Sequence, residues 1–369
     1  MKRHRWYLVP VALAVAASLA VAGFASGGTN SRKATKVTLQ LKWVTQAQFA
    51  GFYAAKAKGF YRQAGLDVNL KVGGPDISPE QVVLGRQAEF GVDWLPSLLA
   101  QRDTGNNLVN IAQVYTRSGT TEVTWKDSGI NTMKKMKGKK YGVWILGNEF
   151  EQQAALVKAG LDPKKDVTLV KQNFDMNAFL KREIDAASAM TYNELAQVLE
   201  TKNPKTGKLY KLSDLNVFKM SALGTGMLQD GIFVRGDWIK SKANQALSVK
   251  FLTASLKGWA YCRDHFRECV NIVLANGPAL PRGHQTWQMN EVNALIWPNR
   301  LGVGVMDPRS FKTTADIAFR FGVISKKASA AAYRSDLAKK AVAALKKQGV
   351  DVFGKSWKKA KVTLTEGGK

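Results

Sequence analysis

Lys36-Val-Thr-Leu-Gln-Leu-Lys-Trp43 alternates apolar and polar residues, and Gly65-Leu-Asp-Val-Asn-Leu-Lys-Val72 does so again after an amphipathic interval at 51–63. A period of two sends one side of the chain to a core and the other to solvent, so both stretches read as half-buried strands. The interval between them has helical spacing. Outward from this unit, Ser78 and Pro79 predict a capped helix over 79–86, with the proline at its first turn. A third strand is expected over 88–93 and a third helix over 94–104. Strands alternating with helices in this way require a parallel sheet with helices on its faces.

The unit is then built again. After a crossing segment at 111–125, the pattern predicts strand 140–145, helix 149–159, strand 167–170, helix 176–182 and strand 184–190. Residues 218–234 read as crossing back, and long helices over 244–263 and from Glu268 onward complete the first part. The expected architecture is α/β, a two-lobe clamshell in which each lobe is a mostly parallel sheet with flanking helices. Lobe 1 is discontinuous (36–120 and 230–328), lobe 2 spans 121–229 with the crossing segments, and a cleft lies between them. Residues 329–369 form a basic terminal region with an Ala/Lys helix expected over 330–348. Docking of that helix with its lysines in solvent is favoured over attachment to a membrane surface.

The first 25 residues read as an address. Lys2, Arg3 and Arg5 precede an uncharged Ala/Val/Leu-rich run from Leu8 to Ala25, and Gly23-Phe-Ala25 offers a small-residue cleavage pattern. A polar tether follows at 26–35. The rest of the chain is therefore expected outside the membrane, in the periplasm or at the extracellular face, with an uncleaved anchor as the alternative. The net charge of +27, from 55 Lys and Arg against 28 Asp and Glu, raises the question of nucleic acid. Residues 1–35 contribute +5 and 331–369 contribute +7, and no nucleic-acid motif accompanies the scattered remainder. A basic surface facing an anionic cell envelope is the expected reading, and nucleic acid is not an expected partner.

Cys262 and Cys269 are the two cysteines. On an unbroken helix their α-carbons would stand about 10 Å apart, too far for a bridge. Either the chain turns between them and a disulfide joins two helix ends, or they are buried thiols. His265 and His284 show no zinc spacing, so no metal is expected.

Ligands of open α/β sheets collect beyond the carboxyl ends of the strands. There the chain places Trp43, Gln46 and Gln48 after the first strand, and Asp93 and Trp94 after the third. The second lobe offers Trp144, Asn148 and Glu149, then Thr191, Tyr192, Asn193 and Glu194. Flat faces for stacking beside fixed polar atoms suit a planar, heteroatom-bearing small molecule. Trp43 and Tyr192 are the expected stacking partners. No Walker loop, nucleophile elbow or complete dinucleotide fingerprint occurs, so neither catalytic residue nor cofactor is expected.

The run from Trp43 to Val68, with Phe49-Ala-Gly51, Ala55-Lys-Ala-Lys-Gly-Phe-Tyr61 and Gly65-Leu-Asp-Val68, resembles the substrate-binding proteins of bacterial ABC importers, in the branch similar to fungal thiamine-pyrimidine synthase. Lys137-Gly-Lys-Lys-Tyr-Gly142 and Ile184-Asp-Ala186 extend the likeness, which covers about 36–324. The resemblance implies the type II periplasmic-binding-protein fold, a monomer, a membrane permease as partner and no cofactor. It further implies a planar heterocycle as ligand: a thiamine pyrimidine precursor, with riboflavin or another small molecule as the alternative. The synthase's lysine and histidine fall near Asp93 and Ser97, and its cysteine run near Gly224 to Gln229, so a synthase of that type is disfavoured.

Overall fold

The computed structural model describes residues 34–369. The expected export signal and nearly all of the tether lie outside the described residues. The chain begins with β1 (Thr35–Gln40), α1 (Ala50–Ala57), α2 (Phe60–Gln63), β2 (Leu66–Lys71), α3 (Pro79–Leu84), β3 (Phe90–Asp93), α4 (Leu95–Asp103) and β4 (Leu108–Gln113). It continues through β5 (Thr120–Trp125), β6 (Lys140–Val143), α5 (Phe150–Lys158), β7 (Thr168–Lys171), α6 (Asn177–Leu180), β8 (Ala186–Met190), α7 (Glu194–Leu199), β9 (Leu215–Lys219) and α8 (Met220–Leu223). Then follow β10 (Gly231–Arg235), α9 (Lys242–Asp264), α10 (Phe266–Asn276), α11 (Arg282–Ile296), α12 (Pro308–Arg320) and α13 (Asp336–Lys347).

Two five-stranded sheets result, in the orders β2-β1-β3-β10-β4 and β7-β6-β8-β5-β9. β1 pairs in parallel with β2 and β3, and β6 likewise with β7 and β8, as the repeated strand–helix units require. The antiparallel member of each sheet, β10 in the first and β5 in the second, is the strand that has just arrived from the other lobe. The two sheets are thus copies of one plan: a two-lobe α/β clamshell with helices flanking mostly parallel sheets.

The crossings at 114–119 and 220–230 are tied to each other. The Gln229 side chain donates to Thr120 Oγ1 at 2.6 Å and accepts from the Gly119 N–H at 2.8 Å. Ser118 donates to Glu151 Oε2 at 2.6 Å, fastening the first crossing to α5.

Three local expectations are corrected or resolved. The helix expected over 51–63 is two helices, because Gly59 takes φ +71°, a left-handed conformation that stops α1 and restarts the chain as α2. The terminal helix begins at Asp336 rather than at 330. Ala330–Ala332 forms a single tight turn, and Tyr333 is drawn out to bridge Asn110 of β4. Cys262 and Cys269 are joined by a disulfide between the end of α9 and the start of α10, where the break at His265 brings their α-carbons to 5.3 Å.

Candidate functional site

The strand ends of both sheets converge on one narrow space. Lobe 1 contributes Lys42, Trp43, Gln46, Gln48 and Trp94, and lobe 2 contributes Trp144, Asn148, Met190, Tyr192, Asn193 and Glu194. Trp43 and Trp144 meet edge to face across the cleft, their ring centroids 6.2 Å apart. Tyr192 packs in the same way on Tyr115 at 6.4 Å. The cleft side chains of lobe 2, Trp144, Met190 and Tyr192, are continuous with the apolar core of lobe 1, so the lobes are shut against each other.

Each wall is held from behind. On the lobe 1 side, the loop after β1 is pinned at Ala47, whose N–H donates to Gln285 Oε1 at 2.7 Å, and at Gln48, whose carbonyl accepts from the Tyr115 hydroxyl at 2.7 Å. Gln46 donates to Gln48 Oε1 at 2.6 Å, and Gln48 donates onward to Asp230 Oδ2 at 2.9 Å. The Trp94 indole N–H donates to the other Asp230 oxygen, also at 2.9 Å. Asp230 therefore orients both an aromatic face and an amide. On the lobe 2 side, the Trp144 indole N–H donates to the Asn173 carbonyl at 2.8 Å. Glu194 opens α7 and accepts from Asn193 Nδ2 at 2.7 Å and from the Met190 N–H at 3.0 Å.

Three residues expected in the site are not among those that line the space. Asp93 pairs with Lys42 behind the wall and accepts the Trp94 N–H at 2.5 Å. Glu149 folds back to accept the Gly147 N–H at 2.9 Å, and the Thr191 carbonyl accepts from the Trp287 indole at 3.0 Å. Local loop bonding holds the Asp93 and Glu149 side chains. In their place stand Lys42, which covers the Trp94 ring at 4.7 Å, and Met190.

The electrostatics of the site are acidic. Burial pushes Glu194 up to about 7 and Asp230 up to about 6, the latter opposed by the Gln48 hydrogen bond and by Lys42. Glu80, buried in α3, is raised by burial and then by the nearby Asp93 charge. The cation lining the space, Lys42, is already paired with Asp93. The lining thus offers acceptors and flat faces in preference to a free positive charge.

Two lobes closing on a pocket at their strand ends define a periplasmic-binding-protein fold. The chain belongs to the NMT1/THI5-like family, whose model matches residues 46–268. It is similar to a Haemophilus influenzae protein named for thiamine biosynthesis, with 22% identity over 79% of this chain and 88% of that protein. It is also similar to the riboflavin-binding protein RibY of Chloroflexus aurantiacus, with 24% identity over 79% of this chain and 82% of that one. Among solved structures, it shares the fold of the alkanesulfonate-binding protein SsuA from Xanthomonas axonopodis pv. citri, solved with bound MOPS. That match has a TM-score of 0.59 and 15% identity, covering 82% of this chain and 99% of SsuA.

Proposed function

We propose that the protein is the extracytoplasmic binding component of an ABC importer and captures an amino-substituted, single-ring heterocycle of the thiamine-pyrimidine type, which it hands on chemically unchanged. The observation that carries this reading is the pairing of Trp43, Trp94, Trp144 and Tyr192 with the carboxyl of Glu194 around one narrow space. In the shut form the space is narrow, so a single ring needs less parting of the lobes than a fused ring system would. A carboxylate at the ring edge accepts from an exocyclic amino group and discriminates against rings that lack one. A sulfonate or other strong anion would meet Glu194 and a lysine that is already neutralised, so this site opposes the ligand class of its structural relative SsuA. A flavin would need the wider mouth outside Trp43 and Gln46, lined by Phe174, Pro281 and His284.

Closure follows from contact: the guest touches both lobes at once in the shut form alone, so binding shifts the population toward it. The test is native mass spectrometry of the purified protein, followed by calorimetric titration with 4-amino-5-hydroxymethyl-2-methylpyrimidine and with riboflavin. Micromolar or tighter binding of the pyrimidine, recovered intact, is expected. Preference for riboflavin, or conversion of the bound molecule, overturns the reading.

A further inference from the structure

The segment after α13 passes from lobe 1 to lobe 2 and makes a third link between them. It starts in lobe 1, where Val352 is buried in the core and its carbonyl accepts from the Val303 N–H at 2.9 Å. Ala360 forms a reciprocal pair with the Asn290 side chain of α11, with Asn290 Nδ2 donating to the Ala360 carbonyl at 2.8 Å and the Ala360 N–H donating back at 2.9 Å. Four residues later Leu364 packs on the core of lobe 2. Glu366 pairs with Lys202 at 2.6 Å, and the Gly367 N–H donates to the Glu200 carbonyl at 2.9 Å.

Gly368 closes the link. It sits at φ +67°, and a Cβ there would stand 2.6 Å from His284 Cβ of lobe 1 and 3.1 Å from Glu200 Oε2 of lobe 2. Beside it the lobes touch directly, His284 Nδ1 lying 2.9 Å from Glu200 Oε2 and His284 Nε2 lying 2.8 Å from Asn193 Oδ1. Asn193 also lines the candidate ligand space, so this contact reaches the site itself.

We propose that residues 360–368 act as a strap that holds the lobes together beside the cleft in the ligand-free protein and limits how far they open. While its lobe 1 anchor at Ala360 holds, opening the cleft must break the Gly367–Glu200 bond and lift Leu364 from its seat. Once these lobe 2 contacts let go, the strap no longer bridges the gap and the lobes part, so it limits opening only while it is seated. The fraction of molecules in the shut form then depends on the strap as well as on the ligand, and that fraction scales the apparent affinity.

The test uses the full chain without ligand, and so stands apart from the choice of ligand above. A compact body of this size has a radius of gyration of about 20 Å, and cleft opening increases it. Leu364→Asp and Gly368→Val are expected to increase the radius measured by X-ray scattering and to speed tryptic cleavage after Lys361 about tenfold, with a cooperative melting transition retained. Glu366→Lys sets like charges against each other at Lys202 and should open the cleft to a smaller extent. Adding Lys202→Glu to Glu366→Lys restores the pair and should restore the parent radius, an effect that general destabilisation would not reverse. A tail that becomes cleavable while the radius stays at the parent value overturns the strap. So does a tail whose cleavage none of these substitutions changes.

Discussion

Asp230 shows how a side chain behind the wall governs the ones in it. Its two oxygens take one hydrogen bond each, from Trp94 and from Gln48, so both acceptors are used. In Asp230→Asn one oxygen becomes an NH₂ group that faces a donor, and a buried donor is left unpaired. The penalty for such a group is about 1–3 kcal/mol. The expected outcome is ligand affinity reduced about tenfold or more, with an altered near-ultraviolet dichroism from a reoriented Trp94. Unchanged affinity and dichroism would show that Trp94 is fixed by packing alone. Trp43 acts by direct contact instead. It is 7% exposed and reaches across to Trp144, so its removal deletes a stacking face and loosens the shut state together. Trp43→Ala should weaken binding by about 1–3 kcal/mol in calorimetric titration, the range of a buried aromatic anchor. A loss below a few tenths of that would remove Trp43 from the binding surface.

At the scale of elements, α13 separates two uses of an amphipathic helix. Leu337, Ala338, Ala341 and Leu345 are buried in the core shared with α9, while Lys339, Lys340, Lys346 and Lys347 are exposed. The apolar face is spent within the protein, which favours docking over membrane attachment. Leu345→Ala should cost about 2–5 kcal/mol and lower the melting temperature; a negligible change would mean that the face is not packed in solution. The same helix shows where sequence reading stops. Its heptad-like burial from Leu337 to Leu345 is a local pattern, but its start is decided by Tyr333 bridging the distant Asn110. Likewise β1 and β2 were legible from two-residue alternation, β3, β6, β7 and β8 from their places between helices, and the aromatic residues Trp43, Trp94, Trp144 and Tyr192 from their places at strand ends. By contrast, β5 and the end of β4 fell inside the stretch read as a crossing, because their partners come from distant segments. Lys42, Asp230 and His284 were not legible as site residues, because their roles depend on chain segments brought together by the crossings. Asp93, Glu149 and Thr191 stand beside the space without lining it, engaged by neighbours that the sequence pattern does not reveal.

For the whole molecule, the carboxyl groups buried around the crossings and the cleft make stability depend on pH in an uncommon direction. Burial raises Glu151 to about 7, Glu194 to about 7 and Asp230 to about 6, and moves Glu80 and Glu122 upward as well. In the unfolded chain these groups titrate near 4. Between the two values the folded protein binds more protons, so the stability they confer is complete below about pH 4 and is lost as pH climbs through 6 to 7. The exposed carboxylates Asp103, Asp127 and Asp166 are shifted downward, so their opposite contribution changes below about pH 4, outside this window. The melting temperature is therefore expected to fall from pH 5 to pH 8. Glu151→Gln keeps an acceptor for Ser118 and loses the charge but sets an NH₂ against the Gln229 amide, so it should flatten that slope while lowering the transition at pH 5. A transition that rises with pH over this range would refute the account. A ligand that donates hydrogen bonds to the Glu194 carboxylate relieves part of the same strain when bound. Its stabilising effect should then be larger at pH 8 than at pH 5, which ties the energetics of the shut clamshell to an amino-bearing guest and would be absent for a purely stacking one.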